Sequence, residues 1–97
     1  MIITQLINDN YNPAANQFVV TTPKATYFQS YDSVVCKIEG GKVTLSDYWD
    51  YSNTTRKHLY IFLRQNGFRG LNSAKEVRQA IAKGLVKYSA KSSLPFK

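Results

Sequence analysis

The chain has 97 residues, of which 43% are hydrophobic, and it carries a formal net charge of +7 and a single cysteine. This length predicts a single domain, 1–97, with one modest core, and the composition excludes a disordered chain and a disulfide framework. No apolar run approaches the roughly 18 residues that span a bilayer, and the opening MIITQLI lacks the basic start and cleavage site of a signal peptide. We therefore expect a cytoplasmic protein without a membrane partner.

The first half of the chain is predicted to form β-structure. A short strand is predicted over 2–7, and the Asn-rich segment that follows is predicted as a loop, so that 1–17 form a strand and a loop. The runs FVVTT and TYFQSY come next, rich in β-branched and aromatic residues and separated by a turn at Pro23. These patterns predict an antiparallel β-meander over 18–46.

A Gly-Gly pair gives the clearest local signal in this meander. Gly40–Gly41 lies between the runs VVCKIE and KVTL, and such a pair tolerates the positive φ angles of a two-residue hairpin turn. Because side chains alternate along a strand, Val34, Cys36 and Ile38 are predicted to share one face, with Val35 on the other. Cys36 is therefore expected to be a packed core thiol.

Residues 47–89 are predicted to form a helical half. A side-chain oxygen within the triplet 52–54 can cap a helix over 54–66, because it can accept a hydrogen bond from a free backbone N–H. Gly67 follows this helix as a left-handed C-cap. The first helix is therefore expected to end just before this glycine.

A second helix is predicted to begin at Ser73, which forms with Glu76 the S-x-x-E pattern of a capping box. Gly84 can end this helix, and 85–89 then form a return strand; a helix that continues through Gly84 is the alternative. Residues 90–97 are predicted to be a mobile tail. The order of elements predicts the α+β class, with an antiparallel β-meander followed by two helices and, in the first alternative, a final strand.

Charge is unevenly distributed along the sequence. Residues 1–55 hold three Lys or Arg against five Asp or Glu, a net −2, whereas 56–97 hold ten against the single acid Glu76, a net +9. A surplus of this kind indicates an anionic partner, which can be nucleic acid, an acidic protein surface or an anionic membrane. We predict that the basic residues of the second half gather on a helical surface.

The aromatic residues are concentrated at the predicted junction between sheet and helix. Six of the thirteen Tyr, Phe and Trp rings lie within 47–68. Large rings supply much of the buried area in a small domain, so Trp49 and Phe62 are expected in the core.

Tyr60 is predicted to point away from that core, between Lys57 and Arg64. A ring flanked by cations can stack on a nucleobase while the cations hold phosphates. Ile61 is also predicted to point outward, as part of a contact surface. The predicted binding residues on the two helices are Arg56, Lys57, Tyr60, Arg64, Lys75 and Arg78.

Residue types that carry catalysis are scarce. His58 is the single histidine and lies on a different predicted element from Cys36, so the two do not form a metal site by spacing. Asp47 and Asp50 are three residues apart and could bind a cation, but negative charge at this position is favoured at the start of a helix. No glycine-rich phosphate loop or hydrolase motif is present. We predict no catalytic residue, no metal, no cofactor and no enzymatic activity.

The segment TTPKATYFQSYDSVVCKIEGGKVTLSDYWDYSNTTRKHLYIFL, 21–63, resembles a family of small uncharacterised proteins common in bacteriophage genomes. The resemblance is carried by the YFQSYDS hairpin, the GKV-x-L strand and the WDYS-x-TT-x-K helix start. Ala25 departs from this pattern, because the family often has Gly there. The family has no established activity, so the resemblance assigns a role to no residue.

A phage origin would place the protein in the cytoplasm of an infected bacterial host. Small non-enzymatic phage proteins often bind host machinery, and inhibitors of defence nucleases such as anti-CRISPR proteins are one such class. Three functions are therefore open. They are inhibition of a host protein or nucleoprotein complex by occlusion, direct DNA or RNA binding as a regulator, and self-association as a structural or virion component.

Overall fold

The structure is a computed structural model that describes residues 1–96. Within these residues the chain forms one six-stranded sheet and two α-helices. The strands are β1 (Ile2–Ile7), β2 (Pro13–Thr21), β3 (Thr26–Ser30), β4 (Ser33–Glu39), β5 (Lys42–Leu45) and β6 (Val86–Tyr88). The helices are α1 (Asn53–Gln65) and α2 (Ala74–Ala82), and a 3₁₀ helix covers Asp47–Asp50.

The strands lie side by side in the order in which they occur along the chain. Strands β1 to β5 pair antiparallel, whereas β6 pairs parallel with β5. The parallel pair is possible because α1 and α2 form the long crossover that such a connection needs. The α+β class, the meander and the final strand are thus confirmed, and the alternative of a continuous helix is wrong because Gly84 takes a φ of +75° after α2.

The predicted turn and caps are present. Gly40 and Gly41 take φ angles of 58° and 76°, which match a two-residue hairpin between β4 and β5. The Ser52 hydroxyl accepts a hydrogen bond from the Thr55 N–H at 3.2 Å and so caps α1. The Ser73 hydroxyl caps α2 in the same way. These local hydrogen bonds explain why both helices begin where the sequence predicts.

Strand β2 begins earlier than predicted. Residues 13–17 were expected in a loop, but they belong to β2, and Pro13 lies opposite Ile7 in the β1–β2 pair. The Asn8 side chain makes this possible, because its carbonyl oxygen accepts hydrogen bonds from the N–H groups of Asn10 and Asn12 at 2.9 and 3.0 Å. Such a side-chain turn shortens the connection to 8–12.

A β-bulge changes the predicted faces of β4. Phe28 lies opposite Cys36 and Gln29 lies opposite Val34, so Val35 is an extra residue in the pairing of β3 with β4. The alternation is therefore interrupted: Val35 joins Cys36 in the main core, while Val34 packs on the other side of the sheet. The prediction that Val34 and Cys36 share a face is wrong for this reason.

The two sides of the sheet are covered differently. The helix face, which includes Phe28, Cys36 and Val43, packs against α1 and α2 in the main core. Phe62 of α1 is fully buried there and stacks on Phe28, with ring centroids 5.6 Å apart. Cys36 is the packed core thiol that was predicted, and burial raises the pKa of its thiol.

The open face is the opposite side of the sheet, where Tyr27 and Val34 form a small cluster with Leu94. The Val34 N–H donates a hydrogen bond to the Ser93 hydroxyl at 2.9 Å, and the Leu94 N–H donates to the Val34 carbonyl at 3.1 Å. Phe96 meets the Tyr27 ring edge-on, with centroids 5.0 Å apart. The segment predicted to be a mobile tail, 90–97, therefore contacts the open face through residue 96, and Lys97 lies outside the described residues.

Candidate anion-binding groove on helix α1

A shallow groove of about 280 Å³ runs along the outer side of α1. It contains four of the six predicted binding residues, and we call it the α1 groove. Its lining consists of Asp9, Asn53, Arg56, Lys57, Tyr60, Ile61 and Arg64. The helical members recur at intervals of three or four residues, which places them along one side of the helix.

Arg56 is held at the N-terminal end of the groove. Its guanidinium donates to the Asp50 backbone carbonyl at 3.0 Å and to the side-chain oxygen of Asn53. Neither acceptor carries a charge, so Arg56 keeps its full positive charge while its position is fixed. A planar, pre-positioned guanidinium of this kind is suited to a phosphate or carboxylate.

Arg64 closes the other end of the groove. Its guanidinium donates to the Asp9 carboxylate at 2.7 Å, and a longer contact of 3.5 Å reaches the Asn72 side chain. Asp9 belongs to the β1–β2 connection, so this ion pair joins the start of the chain to α1. The role of Asp9 was not predicted from the sequence, because no local pattern indicates a partner 55 residues away along the chain.

Lys57 and Tyr60 lie between the two arginines. Lys57 is exposed and makes no ion pair within residues 1–96. Tyr60 is half-buried against the main core, and burial raises its pKa although Arg56 and Arg78 act in the opposite direction. Only part of the Tyr60 ring is therefore open to a partner, which is less than predicted.

Ile61 is buried, with 3% of its surface exposed, so its predicted outward orientation is wrong. A helical projection of the α1 sequence predicts burial only for the side that faces the sheet. The end of β1 and the β1–β2 connection contact a second side of the helix, where the Gln65 side chain donates to the Ile7 carbonyl at 2.7 Å and Arg64 pairs with Asp9. Ile61 belongs to the main core. Ile61 forms part of the groove floor.

The two predicted residues of α2 lie outside the α1 groove. Arg78 pairs with the Asp50 carboxylate at 3.3 Å and covers the Trp49 ring, 5.4 Å from its centroid. Lys75 is exposed and has no ion-pair partner within residues 1–96. The predicted binding residues therefore divide into a groove on α1 and a separate pair on α2.

The remaining candidates have structural contacts. Trp49 is buried as predicted, with Arg78 above it. His58 contacts the Thr54 carbonyl through Nδ1 at 2.8 Å, and Asp47 accepts a hydrogen bond from the Tyr88 hydroxyl. In the part of the chain that the structure describes, no three His, Cys, Asp or Glu side chains come together as a metal site.

Comparison with known proteins identifies a family that covers most of the chain. Residues 1–81 match a family described as a Family of unknown function (DUF8033). The chain belongs to this family. No curated protein and no solved structure matches it.

The DUF8033 match extends from β1 almost to the end of α2, so it contains the whole α1 groove and leaves β6 and the tail outside. The expectation of a family without an assigned activity is confirmed, and the phage origin stays a prediction. Residues 1–96 contain no helix with the length and apolar character that a membrane span needs.

Proposed function

We propose that this protein acts by non-catalytic binding, with the α1 groove as its contact surface for the phosphates of a nucleic acid. The observation that supports this proposal is the convergence of Arg56, Lys57 and Arg64 around one open groove that also contains Tyr60. The single acid in the lining, Asp9, pairs with Arg64, so the groove keeps a positive surplus.

Arg56, Lys57 and Tyr60 suit different parts of this task. Arg56 is pre-positioned and can donate two parallel hydrogen bonds to one phosphate. Lys57 is a flexible point charge that can follow a neighbouring phosphate. The open edge of the Tyr60 ring supplies an apolar contact for a sugar or base, although its partial burial limits stacking.

The first proposed partner is a host nucleoprotein complex. On this proposal the protein is a phage accessory protein that occupies the nucleic-acid path of a defence nuclease, in the manner of an anti-CRISPR protein, and inhibits by occlusion. The support is the resemblance to phage proteins together with the basic groove, and it is an analogy at the level of family. The second proposed partner is free DNA or RNA, which the same groove would contact if the protein is a regulator.

A salt series tests the groove directly. Replacement of Lys57 by Gln removes one phosphate contact, so the slope of log K against log salt for a mixed-sequence DNA duplex should fall by about 1. Lys83→Gln is the matched control, because Lys83 is an exposed lysine on the C-terminal end of α2 and outside the groove. Equal slopes for the two variants would contradict the assignment to α1.

The two partners are separated by a second measurement. Wild-type protein is added to a purified RNA-guided nuclease loaded with its guide RNA, and DNA cleavage is followed. Inhibition that Lys57→Gln weakens and Lys83→Gln preserves supports the first partner, whereas DNA binding without inhibition supports the second. Absence of both activities would refute the proposed function.

A further inference from the structure

A row of polar side chains crosses three strands on the open face. Lys37 of β4 lies opposite Thr44 of β5, and Thr44 lies opposite Lys87 of β6. The neighbouring residues Cys36, Val43 and Val86 belong to the main core on the helix face. Because side chains alternate along each strand, the row must point away from the helices.

These residues surround a shallow depression of about 240 Å³. We call it the lysine surface, and its lining consists of Lys37, Glu39, Lys42, Thr44 and Lys87. Lys42 lies opposite Glu39 at the end of the β4–β5 hairpin, next to the row. Neighbouring strands are about 4.8 Å apart, so Lys37 and Lys87 are separated by about 10 Å across the depression.

The charges of the lysine surface do not cancel. Glu39 pairs with Lys37 at 2.9 Å, and this hydrogen bond lowers the pKa of Glu39 and raises that of Lys37. Lys42 and Lys87 have no ion-pair partner within residues 1–96. Lys24 lies near enough to lower the pKa of Glu39 further. One carboxylate is therefore opposed by three lysines in the lining and a fourth close by.

The residue types in this lining favour one class of anionic partner over others. It contains no aromatic ring, so it offers no platform for a nucleobase, and it contains no guanidinium for planar recognition of a carboxylate. Lysine ammonium groups and the Thr44 hydroxyl suit repeated phosphate oxygens, which need charge and hydrogen-bond donors without a fixed sequence.

We propose that the lysine surface binds the phosphate backbone of a nucleic acid, as a second contact on the side of the sheet opposite the α1 groove. The site does not depend on the α1 groove, because different strands and a different face form it. It was not predicted from the sequence because Lys37 and Lys42 lie in the half of the chain with a net charge of −2, and only the fold brings Lys87 beside them.

Amide chemical shifts of ¹⁵N-labelled protein provide the test, with a short mixed-sequence DNA duplex as the probe. We expect saturable shifts at the amides of Lys42, Thr44 and Lys87, and their loss in the double variant Lys42→Gln/Lys87→Gln. The salt slope of that variant should fall by about 2. The matched control is Lys83→Gln/Lys91→Gln, which removes the same charge outside both surfaces and should leave these shifts in place.

The spectra also show whether each variant is folded, so an unfolded variant cannot be mistaken for a loss of binding. If the amides of β5 and β6 do not move with DNA, the lysine surface is not a nucleic-acid site, whatever occurs at α1. The proposal is equally overturned if these amides move only with vesicles that contain anionic phospholipid. Shifts on β5 and β6 without shifts between Arg56 and Arg64 would support the lysine surface and refute the α1 groove.

Discussion

The two sides of the sheet use positive charge in different ways. On the helix side, acids from the first half of the chain offset two arginines from the second, because Arg64 pairs with Asp9 and Arg78 pairs with Asp50. Lys57 and Lys75 on that side make no ion pair within residues 1–96. On the open face, Lys37 pairs with Glu39 of the same strand, and Lys42 and Lys87 have no ion-pair partner among the described residues. A net charge counted along the sequence therefore does not locate a binding surface, because folding pairs some of the cations and leaves others free.

The two sides also differ in how they are buried. The helix face packs against two helices in the main core, whereas the open face has only a small cluster closed by Leu94 of the tail. The first arrangement supplies most of the stability of the domain, since buried apolar area is the dominant favourable term. The second leaves room for the lysine surface beside it.

The largest expected effect follows from this difference in burial. Phe62→Ala should lower the free energy of unfolding by about 3–5 kcal/mol, because it leaves a cavity against Phe28 in the main core. Leu94→Ala should cost only about 2 kcal/mol, the lower end for a buried leucine, because its cluster is small and lies near the surface. Urea unfolding followed by tryptophan fluorescence measures both values.

Equal losses in the two variants would show that the tail is as important to the fold as α1. A loss near zero for Leu94→Ala would show that residues 90–97 are the mobile tail predicted from the sequence. Leu85→Ala is a control for the loss of a leucine side chain, because Leu85 is 71% exposed and should change stability little.

The second expected effect concerns the acid in each surface that pairs with one of its cations. Asp9→Asn frees the charge of Arg64 in the α1 groove, and Glu39→Gln frees that of Lys37 on the lysine surface. Each change should strengthen DNA binding about fivefold at low salt, because it removes one negative charge beside the proposed phosphate contacts. Fluorescence anisotropy with a labelled duplex measures the affinities.

Asp32→Asn is the matched control for these acids, because Asp32 lies in the exposed turn between β3 and β4 and outside both linings. If all three variants bind DNA equally well, the increase in affinity comes from the net charge of the protein alone. Such a result would contradict a local role for the two surfaces. Stability should change little in each case, since exposed ion pairs contribute little.

The smallest expected effect is the ionisation of Tyr60. Burial raises the pKa of Tyr60, so the neutral phenol is favoured in the folded protein. The contribution of this shift to stability is fully present below the unfolded pKa of about 10. That contribution is lost as the pH rises through the pKa of the folded protein. Ultraviolet titration of wild type and Tyr60→Phe should therefore differ by one phenol that ionises above about pH 10. A phenol that ionises at the ordinary value would show that the ring is not packed against the core.

Much of the fold followed from local signals in the sequence. Gly40–Gly41 predicted the hairpin, and Ser52 and Ser73 predicted the helix starts. Each of these residues affects backbone groups only a few positions away along the chain. The bulge at Val35 and the early start of β2 were missed, since both depend on pairing with a neighbouring strand.

The candidate site was predictable only in part. Helical spacing placed Lys57, Tyr60 and Arg64 on one side of α1, and the structure brings them to one groove together with Arg56. The neutralising partner of Arg64 comes from the β1–β2 connection, which is distant in sequence. The burial of Ile61 in the main core depends on tertiary packing that helical spacing does not show. The lysine surface needs the parallel pairing of β5 with β6, and no pattern within a strand indicates that neighbour.

The most direct test of two separate phosphate-binding surfaces is the salt dependence of DNA binding by a combined variant. Lys57→Gln with Lys42→Gln and Lys87→Gln removes three proposed phosphate contacts, so the slope of log K against log salt should fall by about 3 between roughly 50 and 200 mM NaCl. This decrease in slope should equal the sum of the decreases measured for the Lys57→Gln variant and for the Lys42→Gln/Lys87→Gln variant. A slope that matches that of an Arg69→Gln/Lys83→Gln/Lys91→Gln control, whose three exposed cations lie outside both linings, would contradict the presence of two phosphate-binding surfaces.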